Sequence, residues 1–224
     1  MDIKILHMME GAKQAKGLAV IIDVFRAFTV ECYLMENGAE KIIPIGDKEL
    51  AYQLKRENET YILIGERQGI ILPGFDYGNS PSQIENIDFT NKVVIHTTST
   101  GTQGIDNAIN AEEVITGSLV NAKAIVKYIR KKNFQTISLV SMGAKEDCLC
   151  AEYIKAMLEN TEIDLNKKIN ELKVTSGAKF FDKKQNEVFP ERDFFLCTEV
   201  NKYHFILKLV KEETGLNYIE KINI

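Results

Sequence analysis

Residues Leu18–Ile22 read LAVII and run without a break into Asp23. Continuous apolar, β-branched residues suit a strand covered on both faces, where the in–out alternation of a half-exposed strand is lost. The same form recurs in KIIPI (Lys41–Ile45), YILI (Tyr61–Ile64), KVVI (Lys92–Ile95), EVIT (Glu113–Thr116) and TISLV (Thr136–Val140). Helical patterns fall between these runs. Asp47 can cap a helix carrying Leu50, Ala51 and Leu54 on one face, and Ser118 one carrying Leu119, Ala122, Val126 and Ile129. Cys150, Ile154 and Leu158 line a third, and Asn201 to Thr214 places Phe205, Ile206, Leu209 and Val210 on one side before Gly215. This alternation predicts an α/β protein of three layers, α/β/α, around a largely parallel or mixed central sheet.

The composition sets outer bounds. A chain of 224 residues can bury one sizeable core, so residues 1–224 read as one domain, with room for a smaller C-terminal subdomain from about 161, where Lys, Asn and Glu become frequent. Hydrophobic and charged fractions of 45% and 27% exclude a disordered chain. A net charge of −4 without a basic stripe argues against nucleic acid as a partner. The N-terminus lacks an apolar signal core and no run approaches spanning length, so a cytoplasmic protein with no membrane partner is expected. A homodimer is left open. Cysteines at 32, 148, 150 and 197 form no scaffold spacing, and Cys148 and Cys150 alone are a weak metal signal. Reduced, mostly buried thiols are expected.

The residues at the end of each strand are more informative. LAVII leads into Asp23 and Arg26, YILI into Glu66 and Arg67, KVVI into HTTSTGTQG (His96–Gly104), EVIT into Ser118, and TISLV into Glu146 and Asp147. In an open parallel sheet the strand C-termini share one edge, where ligands bind, so these residues are expected on one rim. An Asp or Ser after a strand is often only a helix cap; several strands doing it together favour a site. Within HTTSTGTQG, Thr97, Thr98, Ser99, Thr100 and Thr102 offer hydroxyls, and Gly101 allows close approach ahead of a helix carrying Ile105, Ala108 and Ile109. That suits an anion, though a Ser/Thr-rich cap reads the same way. Asp23, Glu66, Glu146 and Asp147 are hard oxygen donors of the kind Mg²⁺ takes, or partners for Arg26 and Arg67. An Arg close behind a strand-end Asp also makes a bidentate clamp for phosphate, carboxylate or sulfonate. Cys-x₅-Arg and Asp-x-Asp phosphatase signatures are absent, and three histidines leave little for a zinc cluster or a Ser-His-Asp triad. His96 reads as a satisfied strand-end histidine.

The stretches IIDVFRAFTV, GERQGIILPGFDYGNSP, TTSTGTQGI, GSLVNAKAIVKYI and MGAKEDCLCAEYI, in this order, resemble the 2-phosphosulfolactate phosphatase family of coenzyme M biosynthesis. The resemblance spans Gly17 to Leu158; Thr100 and Glu152 depart from its pattern. It implies a Mg²⁺-dependent phosphatase acting on a small anionic substrate, 2-phospho-3-sulfolactate, to give sulfolactate and phosphate. A phosphatase for another phosphorylated hydroxy acid, or a non-catalytic phosphometabolite-binding protein, are the alternatives. The resemblance carries catalytic roles to Asp23, Arg26, Glu66 and Asp147. Substrate binding falls to Asn79, Ser80, Thr97, Thr98, Gly101, Thr102, Ser118 and Asn121, and metal binding to Asp23, Glu66, Glu146 and Asp147. In PGFDYGNSP (Pro73–Pro81) the prolines would fix a rigid loop, with Asp76, Asn79 and Ser80 turned to the ligand or metal shell and Phe75 and Tyr77 anchoring it on the core or closing over the substrate; an Asx-turn-rich surface loop is the alternative.

Overall fold

The computed structural model describes residues 1–213 and 215–224. Among them the chain runs β1 (Asp2–His7), α1 (Met8–Gln14), β2 (Leu18–Ile22), α2 (Ala27–Glu36), β3 (Lys41–Pro44), α3 (Lys48–Glu57), β4 (Ile62–Arg67) and β5 (Ile70–Ile71). It continues through α4 (Pro81–Ile84), β6 (Val93–Thr97), α5 (Gly101–Asn107), β7 (Glu113–Gly117), α6 (Ala122–Lys132), β8 (Thr136–Ser141) and α7 (Lys145–Glu159). The last elements are α8 (Leu165–Leu172), α9 (Glu191–Cys197), β9 (Phe205–Val210) and β10 (Tyr218–Asn223). No helix among the described residues is long and apolar enough to cross a membrane.

One sheet holds the strands in the order β1-β8-β2-β7-β9-β10-β3-β6-β4-β5. Strand β2 lies between β8 and β7, parallel to both, and all five of its residues are buried. Leu18, Val20 and Ile22 pack with Ile125, Ile129 and Ile154 of α6 and α7, while Ala19 and Ile21 turn to the other face with Phe28 and Val30 of α2. Each buried isoleucine contributes roughly 1.5–3 kcal/mol, which is why the strand reads apolar throughout. Helix α2 is apolar all round, as a core helix must be, and nine of its ten residues are buried. Ile42, Ile64, Val94, Val114, Leu207 and Ile219, from six strands, pack into the same core as α2, so the sheet curls about it. With α3, α6 and α7 on the opposite face, the architecture is the expected α/β/α sandwich.

Two expectations are corrected. Asn201 to Thr214 is not a helix: Phe205–Val210 is β9, paired antiparallel with β10 from Phe205↔Asn223 to Val210↔Tyr218. FILKLV is short enough to fit either period, and pairing on both sides, with β7 and β10, decides it. Thr214, the end of the expected helix, lies outside the described residues. The hairpin also changes the sheet. β7–β9, β9–β10 and β10–β3 are all antiparallel, so the parallel block β1, β8, β2, β7 and the parallel block β3, β6, β4 run in opposite senses along the sheet. Strand C-termini therefore do not share one edge by simple parallelism. The loop after β6 in the second block nevertheless lies beside the end of β2 in the first, where the Thr100 hydroxyl donates to Asp23 Oδ2 at 3.0 Å.

After residue 161 the chain forms an arm of α8, two single-turn 3₁₀ helices (Ala178–Phe181 and Lys183–Gln185) and α9 before returning to the sheet. Phe180 and Phe194 hold the arm against Phe25, with ring centroids 5.0 and 5.6 Å away.

Candidate functional site

Asp23 stands one residue beyond β2 and is 5% exposed. Its Oδ1 accepts from the Ala27 amide at 3.1 Å, starting α2, and its Oδ2 from the Thr100 hydroxyl at 3.0 Å. Gly101 makes this approach feasible, since a Cβ there would lie 2.8 Å from that of Ala27 and 3.0 Å from Asp23 Oδ2. Burial, reinforced by the negative charges of Glu146 and Glu66, raises the Asp23 carboxyl from 3.8 to about 6. Asp147, in the first turn of α7, accepts from the Val24 amide at 2.7 Å. Burial, with the charges of Asp23 and Glu146 adding to it, pushes Asp147 well above the carboxylate range. Glu146 is 5% exposed, and its Oε2 is buried with no hydrogen-bond partner among the described residues. A bound cation would favour the ionised forms of Asp23 and Asp147, against the burial and neighbouring charge that raise them.

Glu66 closes β4 beside them. Its Oε1 accepts from the Ser99 amide at 2.7 Å, and its Oε2 from the Gly69 amide at 2.6 Å and the Ser99 hydroxyl at 3.1 Å. It thus braces both the loop after β6 and the β4–β5 turn. Asn79 lines the same space, and its Oδ1 lies 3.3 Å from His96 Nε2. His96 Nδ1 faces Glu31 Oε1 at 3.1 Å, and Glu31 Oε2 accepts from Thr116 Oγ1 at 3.1 Å. This buried chain orients the Asn79 amide from behind, and His96 is satisfied as expected.

Asp23, Phe25, Arg26, Glu66, Asn79 and Thr100 help to line a cavity of about 180 Å³, closed by Gln68, Gly69, Ser99, Lys179 and Phe189. It suits a small, strongly polar ligand. An open groove of about 650 Å³ between α7 and α8 is larger, but its walls mix Leu149, Leu172 and Val174 with surface charges such as Lys145 and Lys168.

Other expected site residues are built into the frame. Thr98 and Thr102 cap each other, each amide donating to the other's hydroxyl at 3.2 Å, and Thr97 Oγ1 accepts from Arg67 at 2.9 Å. Ser118 and Asn121 cap the turn leading into α6, and Ser118 is 2.7 Å from the Thr29 hydroxyl. Ser80 donates to Asp193, and Asp76 accepts from the Leu63 amide at 2.8 Å, laying the PGFDYGNSP loop along β4. From that loop Asn79 alone lines the cavity. Helix α5 ends at Asn107, so Ile109 is 71% exposed rather than on its inner face.

Arg26 lines the cavity, yet its Nη1 donates to Asp193 Oδ2 at 2.7 Å and to the Val188 carbonyl at 2.9 Å, both in the arm. Asp193, fully buried, also receives Ser80 and the Ser82 amide. Asp193 and Lys179 are not legible as site residues in the sequence: they sit in a lysine-rich stretch without period, away from any strand end.

Mg²⁺ takes few carboxylates and keeps several waters, so it needs no preformed protein cage. None is present, since no three His, Cys, Asp or Glu side chains among the described residues converge to hold a metal. The donor set nevertheless fits: Asp23, Glu146 and Asp147 are hard oxygen ligands in mutual repulsion, and one oxygen is orphaned.

Fold and site together define a three-layer α/β enzyme with a small acid-walled pocket between two blocks of its sheet. More narrowly, the chain belongs to the 2-phosphosulpholactate phosphatase family, a family of phosphoric monoester hydrolases, whose model matches residues 5–212. It is 33% identical over 211 residues to the "Probable 2-phosphosulfolactate phosphatase" of Bacillus subtilis, covering 92% of each chain. A protein of the same name from Carboxydothermus hydrogenoformans is 37% identical over 172 residues, 74% of this chain and 71% of the relative. One from Clostridium perfringens is 30% identical over 223 residues, 95% and 85% of the two chains.

Proposed function

We propose that this protein hydrolyses the phosphate monoester of 2-phospho-3-sulfolactate to sulfolactate and phosphate, with Mg²⁺ as cofactor. The observation that carries the reading is the set of buried carboxylates, Asp23, Glu146 and Asp147, with Asp23 and Asp147 raised by burial and by neighbouring negative charge, beside a small polar cavity. Pure anion binding needs no such acids. Asp23, Glu146 and Asp147 would hold the metal, with Glu66 adjoining. When bound, Mg²⁺ supplies charge neutralisation for the phosphoryl oxygens. The chain's own groups do the positioning. Asn79, its Oδ1 turned to His96, presents Nδ2 as a donor to a substrate oxygen. Asp23 and Glu66 both face the cavity and offer acceptor oxygens to orient an attacking water in line with the scissile bond. The Thr97–Thr102 loop fixes Ser99 and Thr100 at the wall, and the arm shields one side from solvent.

The test is phosphate release from 2-phospho-3-sulfolactate against phosphorylated hydroxy acids lacking the sulfonate. Selective turnover supports the proposal. Turnover of the others alone moves the substrate, and tight binding without any turnover leaves a binding protein.

A further inference from the structure

Two cationic side chains line the cavity, Arg26 and Lys179, and their charges are handled differently. Arg26 is 4% exposed and paired with the fully buried Asp193, so its charge is compensated inside the protein. Lys179, on the turn Ala178–Phe181, is held by rings instead. Its Nζ lies 4.9 Å from the centre of the Phe189 ring and 5.4 Å from that of Phe180, and it forms no ion pair among the described residues. A ring face attracts an ammonium without cancelling its charge, and leaves N–H donors for another partner. Phe189 is itself fixed. It stacks on Arg26 at 5.0 Å and closes on Gly69, whose φ is +84° and where a Cβ would meet the ring at 2.4 Å. Lys179 is therefore a pre-positioned cation without an ion-pair partner among the described residues, in a pocket whose other charged walls are Asp23, Glu66 and the Asp193-paired Arg26.

We propose that Lys179 determines specificity: its ammonium holds a non-reacting anionic group of the substrate, the sulfonate or the carboxylate. The inference rests on the phosphatase reading above, which supplies a substrate with anionic groups besides its phosphate. One charge-assisted bond lost at a partly buried site corresponds to about 10- to 100-fold in affinity.

The test measures kcat and KM of the Mg²⁺-loaded wild type, Lys179→Met and Lys179→Arg on three esters: 2-phospho-3-sulfolactate, 2-phospholactate (no sulfonate) and phenyl phosphate (neither group). The expected result is a fall of at least tenfold in the kcat/KM ratio of phosphosulfolactate to phenyl phosphate in Lys179→Met, carried by KM and largely restored by arginine. A parallel fall for phospholactate assigns the contact to the carboxylate; its absence assigns it to the sulfonate. An unchanged ratio, or arginine as defective as methionine, overturns the proposal. Calorimetric titration with sulfolactate and with inorganic phosphate reads Lys179 without turnover. If the wild type cleaves none of the esters, the phosphatase reading fails while this titration still decides. Selective weakening of sulfolactate in Lys179→Met supports the subsite, and equal affinity in the two proteins removes it.

Discussion

Replacing Asp23 by Asn is expected to stabilise the metal-free protein while removing its activity. Asn keeps the size of the side chain, and its Oδ1 can still accept from Ala27, but the buried charge is gone. In the folded state the Asp23 carboxyl titrates near 6 rather than 3.8. The folded protein therefore holds the proton more tightly than the unfolded chain does. This contribution to stability is full below about pH 4 and is lost as pH rises through about 6. At about 1.4 kcal/mol for each pH unit, an ionised Asp23 costs the fold about 3 kcal/mol at pH 8. Asp147, raised partly by the charge of Asp23, adds in the same direction. Urea denaturation in EDTA at pH 4, 6 and 8 reads the difference between Asp23→Asn and wild type. The expected gain is about 3 kcal/mol at pH 8, about 6–12 °C in Tm for a chain of this size, shrinking towards zero at pH 4. A gain that does not vary with pH, or a loss at pH 8, would refute the electrostatic reasoning.

Three further substitutions test the geometry. Asp193→Ala leaves Arg26 buried without its charge partner, so a loss of about 3–5 kcal/mol in urea melts is expected, with limited proteolysis reaching the 178–193 arm first. Asn79→Ala removes a polar group lining the cavity and should lower kcat/KM by about 10- to 100-fold, with a loss of about 1–3 kcal/mol in stability as His96 Nε2 loses its partner; full activity would take Asn79 out of the site. Glu66→Gln turns an amide N–H towards the Ser99 and Gly69 donors, so the Mg²⁺ concentration for half-maximal activity should rise about 10- to 100-fold. An unchanged Mg²⁺ dependence removes Glu66 from the metal's surroundings.

The strands most visible in the sequence are those buried on both faces, because LAVII and TISLV are short, β-branched runs bounded by polar residues. β1 escapes notice because it lies at the sheet edge and alternates, with Asp2, Lys4 and His7 exposed. Helix α2 carries no polar stripe to announce it, since the sheet curls round it. β9 reads as a helix because Phe205, Ile206, Leu209 and Val210 also keep a helical spacing, and one of its two pairings, with β7, is to residues distant in the chain. For the site, strand-end acids are legible one by one, whereas the sharing of one cavity by Asp23 and Glu66, from two blocks of the sheet separated by the β9–β10 hairpin, is a matter of tertiary structure. Ser118 and Thr98 show the limit of reading hydroxyls after strands. Both are spent on caps, as their spacing equally allows. Lys179 reaches the cavity, and Asp193 reaches Arg26 behind it, only through aromatic packing of the arm, which has no local signature.

The most direct measurement is phosphate release from 2-phospho-3-sulfolactate as Mg²⁺ is titrated into metal-stripped wild type and Glu146→Gln, with EDTA added at the end. Saturable, EDTA-abolished turnover in the wild type, with Glu146→Gln requiring at least tenfold more Mg²⁺, is the result expected of a metal-loaded carboxylate site. Turnover indifferent to EDTA, or the same Mg²⁺ dependence in both proteins, would contradict it.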